Sequence, residues 1–152
     1  MDRIGVITGL VSEAECLDVL AEPERPATEV AGANAIRARA RAAALVSRGC
    51  LALLSFGVAG GLDPALGAGD LVLARSVRAM GGQTFATDAP WRERLEAALD
   101  GLVPVVVADV AGSDRMLAAP AEKAALRHAT GAAAVDMESH GVAQAASEAG
   151  VP

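Results

Sequence analysis

Apolar positions fall into two patterns along this chain. Arg3 to Thr8 (RIGVIT), Cys50 to Phe56, Leu71 to Ala74, Val103 to Val110 and Ala133 to Val135 are short, nearly unbroken apolar runs. Runs of that length, rich in β-branched residues and bounded by turn residues, predict buried strands. Between them lie segments with helical spacing. Ser12 with Glu15 three residues later has capping-box spacing, with Cys16, Leu17 and Leu20 as an apolar face and Pro23 and Pro26 as the stop. Asn34 is a good N-cap for Ala35 to Arg48, where Ile36, Leu45 and Val46 are the larger apolar residues and Gly49 closes the helix. Pro90 opens Trp91 to Leu99, with Trp91, Leu95 and Leu99 on one face. Pro120 to His128, closed by Gly131, and Glu138 to Glu148, ending at Gly150, complete the helices. GVAGGLDPALGAGD after Phe56 reads as loop throughout, and Ser76 to Thr87 as a weak strand turning at Gly81–Gly82.

Strands alternating with helices predict an α/β fold, a sheet covered on both faces. The first two strands, joined by a helical crossover, should form a parallel pair. Ligands in such folds bind beyond the carboxyl ends of the strands. Chemistry is therefore expected in Gly9 to Glu13, Gly57 to Gly61, Ser113 to Leu117 and Asp136 to Ser139.

Composition narrows this picture. The 152 residues suit one domain, and they are 53% hydrophobic but only 2% aromatic, so the core must be Ala, Val, Leu and Ile. A net charge of −6 argues against a nucleic-acid partner. No secretory leader pattern is present, and the longest uncharged apolar run, Cys50 to Leu62, is too short and glycine-rich to span a bilayer. Cys16 and Cys50 have no metal or redox spacing and read as buried free thiols; together these features favour a cytoplasmic protein.

Several groups of residues are candidates for chemistry. Glu13 and Glu15 are two apart, about 160° around a helix, so they cannot share one task. Glu15 has its explanation in the capping box; Glu13 is either a first-turn carboxylate favoured by the helix dipole or a functional group beside the first strand's end. Gly57, Gly60 and Gly61 let a ligand approach the main chain, although a plain tight turn explains them as well, and neither GxGxxG nor a P-loop is met. Asp136 is well placed as an N-cap, which leaves Glu138 free to accept two hydrogen bonds from a sugar diol, with Met137 as an adaptable apolar surface. A solvated Glu and a core Met are the plainer alternatives. His128 and His140 lack metal-binding spacing, and Ser113 and Asp114 lack a GxSxG context. Arg37 and Arg41 share a helix face, most simply as solvated charge.

Three segments in order, GVITGLVSEAECL, SFGVAGGLDPALGAGDLVLA and AVDMESHGVAQAA, resemble the purine and uridine phosphorylase superfamily, which includes the methylthioadenosine/S-adenosylhomocysteine nucleosidases. With GSD at 112–114, their wording is most similar to the branch associated with hopanoid biosynthesis. The resemblance implies a three-layer α/β/α sandwich with a mixed, partly barrel-like central sheet, and cleavage of the bond between a nucleobase and ribose by phosphate or water. It implies that Glu13 orients the nucleophile, with Gly9 in the loop beside it. Val58, Ala59 and Gly60 would run under sugar and base, Met116 and Leu117 would line the base pocket, and Met137 with Glu138 would hold the ribose. No metal or cofactor is implied, beyond phosphate as a candidate co-substrate, and the partners implied are a small nucleoside and further copies of the chain in a homo-oligomer.

Two departures qualify this. Ser55 and Val58 stand where many phosphorylases carry a phosphate-binding Arg and a Ser or Thr; Arg37, Arg39 or Arg41 would have to substitute. After Val151–Pro152 the family continues into a strand followed by the Asp that protonates the base. On that comparison the chain is expected to lack a C-terminal strand, a helix and the general acid. The expectations are cleavage of an adenosyl nucleoside, an adenosyl-hopanoid precursor in the hopanoid branch. The alternatives are a methylthioadenosine/S-adenosylhomocysteine nucleosidase and a non-catalytic nucleoside-binding module.

Overall fold

The computed structural model describes residues 3–152. The chain forms two compact units: residues up to Val58 together with Met137–Pro152, and Ala59–Asp136.

The first unit is built on β1 (Ile4–Thr8), whose residues 5–8 are fully buried. β1 is flanked by β2 (Ala27–Val30) and β3 (Ala52–Ser55), both parallel to it, in the order β2-β1-β3. The expected pairing of the first two apolar runs is therefore present, with Ile7 opposite Ser55. β2 was not legible in the sequence: ATEV is short, half polar and directly after Pro26.

α1 (Val11–Glu15) runs into a 3-10 turn, Cys16–Val19. It starts at Val11, so the capping-box reading of Ser12 and Glu15 is corrected: Glu13 sits at N3 and accepts from the Leu10 N–H, while Glu15 is exposed. Cys16 is exposed rather than buried, its thiol turned back on the Ser12 carbonyl at 3.3 Å; Cys50 is buried as expected. α2 (Ala35–Ser47) is capped by Asn34, whose side chain accepts from Arg37 N–H at 2.9 Å. Its buried residues, Ala38, Ala42 and Leu45, recur at four and three residues and make one face. Ile36, two residues before Ala38, lies on the opposite side and is 81% exposed, against the sequence expectation. α5 (Ser139–Ala149) packs on α2 through Val142 and Ala145, and both join Ile7, Leu45, Cys50 and Leu53 in one core. Leu45→Ala should cost about 2–5 kcal/mol there. The Leu53 N–H donates to the Pro152 carbonyl at 2.8 Å.

The second unit holds a five-stranded sheet in the order β4-β8-β7-β5-β6: β4 (Gly60–Gly61), β5 (Leu71–Arg78), β6 (Thr84–Ala86), β7 (Val105–Gly112) and β8 (Ala134–Asp136). β5–β7 and β7–β8 are parallel, whereas β4–β8 and β5–β6 are antiparallel. The loop expected throughout Gly57–Asp70 thus contains a two-residue strand on β8. The weak strand with a Gly81–Gly82 turn is the β5–β6 hairpin. α3 (Ala89–Leu99) turns Trp91, Leu95 and Leu99 inward as half-buried residues. α4 (Pro120–Thr130) ends at Gly131, whose φ of 70° is the left-handed C-cap foreseen. Leu62, Ala111, Ala132 and Val135 form the buried cluster of this unit.

Candidate active site

Gly9, the residue after β1, lies between two carboxylates. Its N–H donates to Glu13 Oε2 at 2.8 Å. A Cβ on Gly9 would stand 2.6 Å from Glu138 Oε1 and 3.0 Å from its Cδ, so position 9 tolerates no side chain while Glu138 is in place. Gly57, past the end of β3, repeats the arrangement: a Cβ there would stand 2.6 Å from three atoms of the Glu13 carboxyl group. The carboxylates are set directly on bare main chain. Both are buried, each 8% exposed.

Glu13 has three donors, all neutral backbone N–H groups: Gly9 and Leu10 on Oε2 at 2.8 Å, and Val58 on Oε1 at 2.9 Å. A carboxylate offers about four lone-pair sites. One on Oε1 therefore remains for a water or a ligand hydroxyl. The same bonds tie the residues after β1 to the residues after β3, so Glu13 also fixes the glycine loop. Glu13 is a first-turn carboxylate, as one of the two readings of the sequence has it, in a pose that leaves one acceptor site open.

Glu138 is the N-cap residue of α5, at φ −120° and ψ −41°, and its carbonyl accepts from Gly141 and Val142 at 2.9 and 3.1 Å. This corrects the placement of the cap at Asp136. Asp136 is still strand, paired opposite Gly112, and its carbonyl accepts from Ser113 N–H at 2.9 Å. The Met137 N–H donates to Glu138 Oε2 at 3.2 Å, and Met137 is half-buried. Ser139, the first residue of α5, donates its hydroxyl to Ser55 Oγ at 3.0 Å. Neither the serine pair nor the packing of carboxylate on glycine was visible in the sequence, because both join residues more than forty positions apart; a Ser next to the candidate Glu138 was the one available signal.

Gly9, Glu13, Val58, Met137 and Glu138 thus belong to the first unit; Val58 presents its N–H to Glu13 and leaves its side chain 77% exposed. Ala59, Gly60, Met116 and Leu117 belong to the second. There Gly60 pairs with Val135, Met116 is 78% exposed, and Leu117 packs on the Leu62–Ala111–Ala132–Val135 cluster. Ser113 is buried, its hydroxyl closing a turn on the Arg115 carbonyl at 2.6 Å.

The arginines of α2 are bonded within the unit rather than simply solvated. Arg37 donates to the Ala31 and Gly32 carbonyls at 2.8 and 2.7 Å, Arg39 to Glu148, and Arg41 with Arg48 to Glu29. Burial pushes the Glu29 carboxyl up, but the hydrogen bonds from Arg48 and Arg41 outweigh it and hold it below the usual value.

The second unit carries a buried carboxylate of another kind. Asp109 in β7, 5% exposed, receives Arg75 Nε at 3.1 Å and Arg78 Nη2 at 2.7 Å. Residues 75 and 78 of a regular strand would face opposite ways. The register shift between Ala74 and Val77 inserts one extra residue and lets both guanidiniums reach Asp109. Burial raises this carboxyl, and hydrogen bonds, from Arg78 first and then from Ser76 and Arg75, more than reverse that, leaving it below its ordinary value.

Among the described residues no group of three or more His, Cys, Asp or Glu could hold a metal ion, and no helix is long and apolar enough to cross a membrane.

Comparison with known proteins agrees with this architecture. The family described as the phosphorylase superfamily matches residues 19–152. No curated protein matches the chain. Among solved structures, the 5'-methylthioadenosine/S-adenosylhomocysteine nucleosidase of Neisseria meningitidis, in complex with methylthio-immucillin-A, superposes with a TM-score of 0.91 at 20% identity, over 100% of this chain and 82% of that one. The corresponding nucleosidase of Helicobacter pylori gives 0.90 at 16% identity, over 99% and 81%. A futalosine hydrolase mutant of Helicobacter pylori gives 0.88 at 17%, over 100% and 82%. The fold is thus the mixed α/β fold of these enzymes.

Proposed function

Because the chain belongs to the phosphorylase superfamily, we propose that it breaks the N-glycosidic bond of a purine nucleoside, with an adenosyl compound as substrate. The observation that carries this reading is the pair of buried carboxylates on either side of Gly9. Glycosidic cleavage passes through an oxocarbenium-like sugar, so positive charge develops on the ribose. Glu138 accepts the ribose hydroxyls and its charge opposes that developing on the ring. Glu13, held in one pose by three amides, uses its remaining Oε1 site to orient the nucleophile and, where that is water, to take its proton, while the departing adenine takes a proton from solvent.

The test is adenine release from adenosine and 5'-methylthioadenosine, with and without inorganic phosphate. Release that depends on phosphate makes the enzyme a phosphorylase; release without it makes it a nucleosidase. Nucleoside binding with no release supports a non-catalytic module and sinks the enzymatic reading. An adenosyl-hopanoid precursor is the substrate suggested by the wording of the three segments. A methylthioadenosine/S-adenosylhomocysteine nucleosidase is the second reading, favoured by the names of the structural neighbours. Turnover of the two compounds in parallel separates them. We further propose a homo-oligomer, checked by its mass in solution.

A further inference from the structure

We propose that Ser139 and Ser55 form a positioning pair that sets the Glu138 carboxylate against Gly9 and so governs the preference for a ribose diol over a deoxy sugar. The inference rests on the reading of Glu138 as the ribose-binding carboxylate.

The start of α5 must be held in rotation about its own axis as well as in place. Helical bonds do not achieve this: the Glu138 carbonyl accepts from Gly141 and Val142, which turn with the helix. The Ser139–Ser55 bond joins the first residue of α5 to the last residue of β3. β3 is in turn locked to β1, with Ser55 opposite Ile7 and the Phe56 N–H on the Ile7 carbonyl at 2.9 Å. Two residues after Ile7, just past the end of β1, stands Gly9, the seat of Glu138. The first turn of α5 therefore meets two adjacent strand ends, through a carboxylate on Gly9 and a hydroxyl on Ser55. The Met137 N–H that reaches Glu138 Oε2 at 3.2 Å comes from the same segment and moves with it. The directional O–H···O bond one residue away ties that segment to a neighbouring strand and so fixes where the carboxylate points. Bidentate recognition of a diol needs both carboxylate oxygens aimed together, and displacements near 1 Å at such a site cost on the order of a hundredfold. Ser55 and Ser139 touch no substrate in this reading and act through Glu138.

The experiment measures kcat and KM for adenine release from adenosine and from 2'-deoxyadenosine, with calorimetric Kd values for both. The proteins are the wild type, S139A, S55A, the double variant, S139T and E138Q. S139A should lower kcat/KM for adenosine about tenfold and for 2'-deoxyadenosine less than about twofold. S55A should match it, the double variant should be no worse than either single, and S139T should restore most of the preference. In E138Q, adding S139A should change nothing further. Equal losses on both sugars, or single effects that multiply in the double variant, overturn the proposal. If E138Q keeps the full ribose preference, it is the assignment of Glu138 that falls. If E138Q abolishes the preference and S139A leaves it intact, only the positioning pair falls. Should the wild type bind without releasing adenine, the same ratios are read from Kd, with the same outcomes deciding; binding of neither nucleoside overturns both readings.

Discussion

Glu13 and Asp109 are both buried acids at the service of a sheet, one in each unit, and they are satisfied in opposite ways. Asp109 receives two guanidiniums. Glu13 receives only neutral amides. Arginine cancels a carboxylate's charge as well as filling its lone pairs, and leaves a cross-link. Amides fill the lone pairs and leave the charge in place, facing whatever occupies the remaining site. Asp109 is thereby a cross-link alone, whereas Glu13 ties two loops together and, in the function proposed above, keeps one acceptor site for a ligand.

The contrast can be broken by substitution. The largest expected effect is on E138Q: on the role proposed for Glu138, it should lower kcat for adenine release by roughly a hundred- to a thousandfold with little change in Tm. Next comes E13Q, which keeps a hydrogen-bonding group of the same shape but turns one acceptor into a donor against backbone N–H groups. A rate loss of about ten- to a hundredfold should come with destabilisation of about 1–3 kcal/mol, read by denaturant unfolding. Gly9→Ala removes neither acid yet displaces Glu138, and should reduce kcat/KM about tenfold. An unchanged rate there would mean that the carboxylate's seat on Gly9 does not matter. Asp109→Asn should do the reverse of E138Q: a stability loss of about 1–3 kcal/mol, smaller than for a fully buried pair because both arginines are partly solvated, and normal turnover per folded molecule.

The smallest effect is in acid. Asp109 and Glu29 are held below their ordinary values of 3.8 and 4.5. A depressed carboxyl contributes stability that is fully present above its unfolded value and lost as pH falls through its folded value. Stability should therefore begin to decline below about pH 4.5 in the wild type, and the part of that decline due to Asp109 should vanish in Asp109→Asn.

Much of this was legible beforehand. RIGVIT announced β1, and the position of Glu13 and Glu138 just past apolar runs marked them as candidates, because strand ends are readable from local pattern. What local pattern could not supply were partners. Nothing near Gly9 or Gly57 says that a carboxylate fills the space of the missing side chain. The cap moved from Asp136 to Glu138 because β8 continued one residue longer in pairing with β7, a tertiary fact. β2 was lost for a similar reason: ATEV becomes a strand only because β1 offers it an edge. Arg75 and Arg78, at a spacing that separates them in any regular strand, gave no hint of a shared partner until the extra residue in β5 aligned them.

The fit of carboxylate to bare backbone has a consequence for descent. A glycine needed only for its flexibility can be replaced independently of the rest of the chain, but Gly9 and Gly57 each have an acid seated on them. A lineage that abandoned Glu138 would at once be free to place a side chain at position 9, and one that abandoned Glu13 would be free at position 57. Across relatives of this chain the two glycine–glutamate pairs should be inherited or lost as pairs, so that drift at either glycine marks a descendant that has ceased to use the acid facing it.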